Sequence, residues 1–208
     1  FLLQEDYITS DPTRGIPHPK VDQRLPRVLS VPELRSLFAA MNAQTRKGQR
    51  DKIFFELAYA GGLRISEVAH LRVEDVDWAQ GTLRIKGKGN KQRRVYLKPA
   101  TLRALQDYVQ QMQAKDYVFT AHPSKPVTIR NMEARFKVYV EQAGLPKWIT
   151  PHSLRHSIAV HYLLGGAPLP FAQDLLGHAR LATTGIYTRL TDPMPKEIAR
   201  RIPTALAD

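Results

Sequence analysis

Six polar residues stand in an order and spacing that packing does not explain: Arg64, Lys88, His152, Arg155, His178 and Tyr187. Their settings are Gly62-Leu-Arg-Ile-Ser-Glu67, Gly87-Lys-Gly89, Pro151-His-Ser-Leu-Arg-His156, Leu175-Leu-Gly-His178 and Gly185-Ile-Tyr187. A tyrosine, two arginines, a lysine and two histidines, without a cluster of carboxylates, suit work on a phosphodiester. Guanidinium forks grip two non-bridging phosphate oxygens at once. A tyrosine oxygen can bond to phosphorus and divide one difficult displacement into two easier ones.

Composition points to the same class of partner. The 208 residues carry 31 Lys+Arg against 19 Asp+Glu, a net charge of +12. Such an excess favours a polyanion, and counterion release makes nucleic acid the first expectation. With 43% hydrophobic residues the chain can build a core for one large domain. It has no cysteine, so neither a disulfide framework nor a Cys-based metal site is available. No apolar run has the length of a membrane span and no secretory signal opens the chain, so a cytoplasmic, nucleoid-associated protein without membrane contact is expected. The chain begins at Phe1, which suggests a piece of something longer.

The elements that position the polar set follow from capping and periodicity. Residues 1–27 are rich in Pro and Arg; Pro12, Pro17, Pro19 and Pro26 each hold the preceding residue extended. This stretch reads as a linker with the remnant of a helix at 1–8. Ser30-Val-Pro-Glu33 is a capping box that opens a helix to about Met41, with Leu34, Leu37 and Phe38 on its apolar face. A second helix spans 51–60 and stops at Gly61-Gly62, and a short one covers 65–71. Alternation at 82–86 and 92–97 about Gly87-Lys-Gly-Asn90 predicts a hairpin. Further helices are predicted at 99–113, 128–143, 151–164 and 169–176, with a helical turn at 180–187 and a tail helix at 195–201. Thr150 and Pro151 supply an N-cap and a first helical residue. The class is α+β, mostly helical, with a small three-stranded antiparallel sheet or β-hairpin.

Each member of the set has an ordinary alternative. Arg64 could be a solvated arginine after a helix end. Glu67, one helical turn on, either orients an active-site Arg or His or is a surface carboxylate. Lys88 sits at a hairpin tip among Lys86, Lys91, Arg93 and Arg94, a cluster that is either a solvated face or a patch contacting a nucleic-acid backbone. His152 and Arg155, three apart, share one side of a helix. His156 at i+4 from His152 raises a zinc reading, but Ser153 stands where a metalloprotease glutamate would and no third ligand is evident. No metal and no cofactor are expected, and His156 and His161 read as helix or core histidines. His178 alone could be a cap.

Taken together, the six motifs resemble those of the tyrosine recombinase (integrase) family, close in pattern to its bacterial Xer and integron-type members, from about Leu25 to Thr191. The resemblance implies a site-specific recombinase that cleaves and rejoins double-stranded DNA through a 3′-phosphotyrosyl intermediate. It implies that Tyr187 is the nucleophile, that Arg64 and Arg155 clamp the phosphate and that Lys88 protonates the departing 5′ oxygen. His152 and His178 would hydrogen-bond the phosphate, or His152 would accept the tyrosine proton. It further implies three parts: the end of an N-terminal DNA-clamping domain and linker at 1–27, a catalytic domain at 28–191, and a tail at 192–208 exchanged between subunits of a homotetramer on DNA. Alternatives are a type IB topoisomerase-like relaxase and a DNA-binding module without catalysis. A metal nuclease is disfavoured for want of clustered carboxylates.

Overall fold

The computed structural model describes residues 5, 7–10, 28–86, 92–122 and 125–176. Lys88, Lys91, His178 and Tyr187 lie outside the described residues, as do the helical turn expected at 180–187 and the tail helix expected at 195–201. Of the expected helical remnant at 1–8, Glu5 falls in a turn and Tyr7 in a bend.

Seven α-helices and five short strands make up the described residues. The first helix, α1 (Val31–Ala39), opens on the expected capping box: Glu33 Oε2 accepts from the Ser30 N–H at 2.7 Å, and Ser30 Oγ accepts from the Glu33 N–H at 3.4 Å. Next comes α2 (Arg46–Ala60), which starts earlier than periodicity suggests. Thr45 caps it by accepting from the Gly48 N–H at 3.0 Å, ahead of any apolar residue.

From Ile53 to Tyr59 α2 is buried all round, as a central helix must be. It packs on α4 (Pro99–Met112) and α6 (Pro151–Leu164). Phe54 meets Phe55 and Phe119 edge-on, at 5.2 and 5.1 Å, and Phe55 lies tilted at 4.9 Å from Phe136 on α5 (Ile129–Gln142). A second, smaller cluster, Ala159, Val160, Leu163, Ala172 and Leu176, joins α6 to α7 (Leu169–Leu176).

Between α2 and α4 run α3 (Ile65–Ala69), a 3-10 turn at Val73–Asp75 and an antiparallel sheet of order β1-β2-β3. Its strands are β1 (Val76–Asp77), β2 (Thr82–Lys86) and β3 (Gln92–Tyr96), with β2 and β3 in register from Thr82 opposite Tyr96 to Lys86 opposite Gln92. A second pair, β4 (Thr120–His122) and β5 (Lys125–Pro126), has strands too short for a period of two to show in sequence. No helix among the described residues is long and apolar enough to cross a membrane.

One buried carboxyl gives the fold a pH dependence. Glu56 on α2 is fully buried, accepts from Thr101 Oγ1 at 3.3 Å, and has no partner for Oε2 among the described residues. Burial raises it from 4.5 to about 7, against the Thr101 hydrogen bond and the charges of Lys52 and Lys98. A raised folded-state value means that this contribution to stability is full below pH 4.5 and is lost as pH rises towards 7. The loss amounts to about 3–4 kcal/mol at about 1.4 kcal/mol per unit. Glu56→Gln is therefore expected to stabilise the protein at pH 8 by about 2 kcal/mol, with little effect at pH 4.5. Urea titrations at the two pH values check this, and an equal effect at both would contradict it.

Candidate active site

The end of α2 builds the first wall of the site. Gly61 caps the helix and Gly62 turns to φ +55°, a conformation that favours glycine. The Gly62 N–H then donates to the Tyr59 carbonyl and the Leu63 N–H to the Ala58 carbonyl, each at 3.0 Å, the paired bonds of a Schellman ending. A Cβ at Gly62 would also come within 3.1 Å of Leu175 Cγ on α7. The turn leaves the Gly62 carbonyl facing α6 and delivers Arg64 to the N-cap of α3.

Glu67, three residues on, is the hub of the site. Its Oε2 accepts from the Arg64 N–H at 2.8 Å, and its Oε1 meets Arg64 Nη1 at 3.0 Å. From β3, Arg93 sets a parallel fork on the same carboxylate, Nη1 to Oε1 at 2.9 Å and Nη2 to Oε2 at 2.8 Å. From α6, Arg155 approaches Oε2 at 3.6 Å, an ionic contact beyond hydrogen-bond length. Arg155 spends its donors on backbone: Nη1 donates to the Gly62 carbonyl at 2.7 Å and Nη2 to the Leu176 carbonyl at the end of α7. One guanidinium thus pins the ends of α2 and α7 together.

Three guanidinium groups share one carboxylate here, so the cluster keeps an excess positive charge of about two, part of it out of water. Burial would raise the Glu67 carboxyl, but the hydrogen bonds from Arg93 and the Arg64 backbone, with the charges of Arg93 and Arg155, hold it below the usual carboxylate range. Arg155 moves the other way, pushed down to about 10 by burial and by repulsion from Arg64 and Arg93, which Glu67 only partly offsets. An anion placed against Arg64, whose side chain is 38% exposed, would relieve that repulsion.

The expected residues divide as follows. Arg64, Glu67 and Arg155 come together, and Glu67 is a carboxylate 7% exposed and paired with arginines rather than a surface one. His152 is exposed in the first turn of α6, whereas His156, one turn on, is half-buried and lowered by burial, His152 and Arg155. His161 is a core histidine, its Nδ1 at 3.0 Å from Tyr59 Oη. Lys86 and Arg94 are exposed on the outer face of the β2–β3 hairpin with Arg84, which pairs with Asp75 at 3.0 Å. Arg93, expected beside them in the basic patch, instead shares the inner face with Ile85 and Val95 and turns to Glu67. The period of two that separates Arg93 from Arg94 is the sequence signal for this. Beside the cluster, a cleft of about 270 Å³ is bounded by Glu67, His70, Arg72, Arg84 and Lys86.

Residues 27–194 match the phage integrase family. The chain is 34% identical over 205 residues to tyrosine recombinase XerD of Halalkalibacterium halodurans, spanning 95% of this chain and 69% of that protein. With the XerD of Lacticaseibacillus casei the identity is 39% over 199 residues, 92% of this chain and 68% of the relative. Among solved structures it is similar to XerA recombinase, with a TM-score of 0.70 and 29% identity over 88% of this chain and 64% of the other. It is also similar to XerH site-specific recombinase bound to its difH substrate in a pre-cleavage complex, with a TM-score of 0.71 and 26% identity over 81% of this chain. The match spans only 52% of that XerH chain.

Proposed function

This chain belongs to the phage integrase family of site-specific tyrosine recombinases, and we propose that it cleaves and rejoins double-stranded DNA with Tyr187 as nucleophile. The observation that carries the reading is the under-compensated arginine cluster: Arg64, Arg93 and Arg155 around the single carboxylate of Glu67. Such a site favours an anion, and favours it more as charge builds up on a pentacoordinate phosphorane.

In this reading the tyrosine oxygen bonds to the scissile phosphorus as the bond to the 5′ oxygen breaks, leaving a 3′-phosphotyrosyl link. Arg64 and Arg155 stabilise the added charge. His152, exposed at the start of α6, takes the tyrosine proton, Lys88 gives one to the departing 5′ oxygen, and His178 hydrogen-bonds the phosphate. Attack by a 5′ hydroxyl of a partner strand reverses the step, so the phosphodiester bond energy is kept. Lys86, Arg94 and Lys91 belong to the DNA-contacting surface, which positions the duplex without reading its sequence.

Residues 28–191 form the catalytic domain in this proposal, with 1–27 the end of a preceding DNA-clamping domain and its linker. Residues 192–208 carry the contact that assembles four copies on DNA. Truncation after Thr191 should weaken assembly on paired sites, read by sedimentation, far more than single-site binding; equal assembly of both forms would remove the tail from this role.

The test of the function is covalent trapping. A randomised duplex library, selected for binding and then nicked near the contacted centre, should give a protein–DNA adduct on the 3′ end. Its rate should be unchanged in excess EDTA. Absence of adduct on every selected site would overturn the reading, and an EDTA-sensitive rate would reopen metal chemistry. Relaxation of supercoiled DNA without joining of two sites would favour the type IB topoisomerase-like alternative.

A further inference from the structure

We propose that Arg93 is a positioning residue for strand cleavage, which saturates Glu67 so that Arg64 and Arg155 are not drawn further onto that carboxylate and keep their remaining N–H donors for phosphate; this rests on the recombinase reading above. A carboxylate offers about four lone-pair sites. Glu67 has four donors within 3.0 Å: Arg93 Nη1 and Arg64 Nη1 on Oε1, and Arg93 Nη2 and the Arg64 N–H on Oε2. Arg155 therefore stands off at 3.6 Å, attracted by the charge but not bonded to it.

Without the Arg93 fork, two acceptor sites on a buried carboxylate would open beside two arginines. Arg64 would be drawn off its solvent-facing position and Arg155 off the Gly62 and Leu176 carbonyls, since an unsatisfied buried carboxylate is costly. The clamp would then close on Glu67 instead of on DNA. Two further observations fit this role. Arg93 is only 16% exposed, and its buried Nε has no hydrogen-bond partner among the described residues, which costs stability. It also lies on β3 just after residues 87–91, the connection that carries Lys88, so the fork ties the foot of that connection to α3. A DNA-contacting role would need the guanidinium on the outer face with Arg94, and the strand register puts it on the inner one.

The experiment uses the whole chain and the nicked, library-selected duplex. Arg93→Ala should lower the adduct rate at saturating DNA by about 10–100-fold, the scale of losing a supporting residue around a site. DNA binding should be retained, weakened at most by the about one or two phosphate contacts that the displaced clamp gives up. Because the harm acts through Glu67, the same change in a Glu67→Gln background should cost less than about 3-fold, a non-additivity expected of coupled groups. Retained DNA binding reports that each variant is folded. If Arg93→Ala does not fold, Arg93→Lys serves: a point charge cannot fill both carboxylate oxygens, so it should still react about 10-fold more slowly. The proposal is overturned by an Arg93→Ala or Arg93→Lys rate equal to the parent's, or by equal losses in both Glu67 backgrounds. A salt slope reduced by about one at an unchanged saturated rate would likewise overturn it, making Arg93 a phosphate contact. If the parent itself gives no adduct, the underlying recombinase reading fails instead.

Discussion

Tyr187→Phe is expected to abolish the covalent adduct, a fall on the order of 10⁴-fold or more, while DNA affinity stays within about 2-fold. The substitution removes one oxygen and leaves the ring, so binding energy from shape and charge survives. Two of the other tyrosines that could be suspected are poorly placed to take over. Tyr139 is buried on α5 and its hydroxyl donates to Asp51 at 2.7 Å; burial, that hydrogen bond and the Asp51 charge all raise it. Tyr162 on α6 is half-buried with its ring 4.9 Å from that of Phe171, and burial raises it too. A raised pKa makes the phenolate harder to form, and at Tyr139 the Arg135 guanidinium, which donates to its hydroxyl at 2.7 Å, does not offset burial and Asp51. Peptide mapping of the trapped adduct checks the assignment. An adduct persisting in Tyr187→Phe would overturn it.

Removing either clamp should slow adduct formation by roughly 10²–10³-fold, the usual consequence of losing one donor to a developing charge. The two arginines should differ in what else they lose. Arg64 is partly exposed and, among the described residues, its side chain bonds only to Glu67, so Arg64→Ala should leave thermal stability nearly unchanged. Arg155 is 3% exposed and holds the Gly62 and Leu176 carbonyls. Arg155→Ala strands both of these acceptors, at about 1–3 kcal/mol for each that stays buried and unpartnered. A Tm lowered in Arg155→Ala but not in Arg64→Ala, with both slow at saturating DNA, is the expected pattern. Equal rates in parent and variants would remove the arginine clamp from the mechanism.

Local signals carried much of the architecture. The bounds of α6 agree with those read from sequence because Thr150, Pro151 and the glycine after the helix act on neighbouring residues. The capping box of α1 and the Gly61-Gly62 ending of α2 are equally local. Where the local signal was weak the reading fell short. The first turn of α2 is Arg46-Lys-Gly-Gln-Arg50, with no apolar stripe to announce it, and β1, β4 and β5 are two or three residues long.

The residue types and order along the chain determined the class of chemistry: arginines and a tyrosine for a phosphodiester, on a chain of net charge +12. Only the tertiary structure decided which cation serves which purpose. Arg93 and Arg94 are adjacent and chemically identical, yet strand alternation sends one to Glu67 and leaves the other in solvent. Likewise Glu67, either a surface carboxylate or an orienting one by sequence, becomes the hub because α3, β3 and α6 each bring an arginine to it. Charge and chemical type belong to a residue wherever it stands. Its partners belong to the packing of segments far apart in the chain, such as Gly62 with Arg155 and Arg155 with Leu176, and no local pattern encodes those meetings.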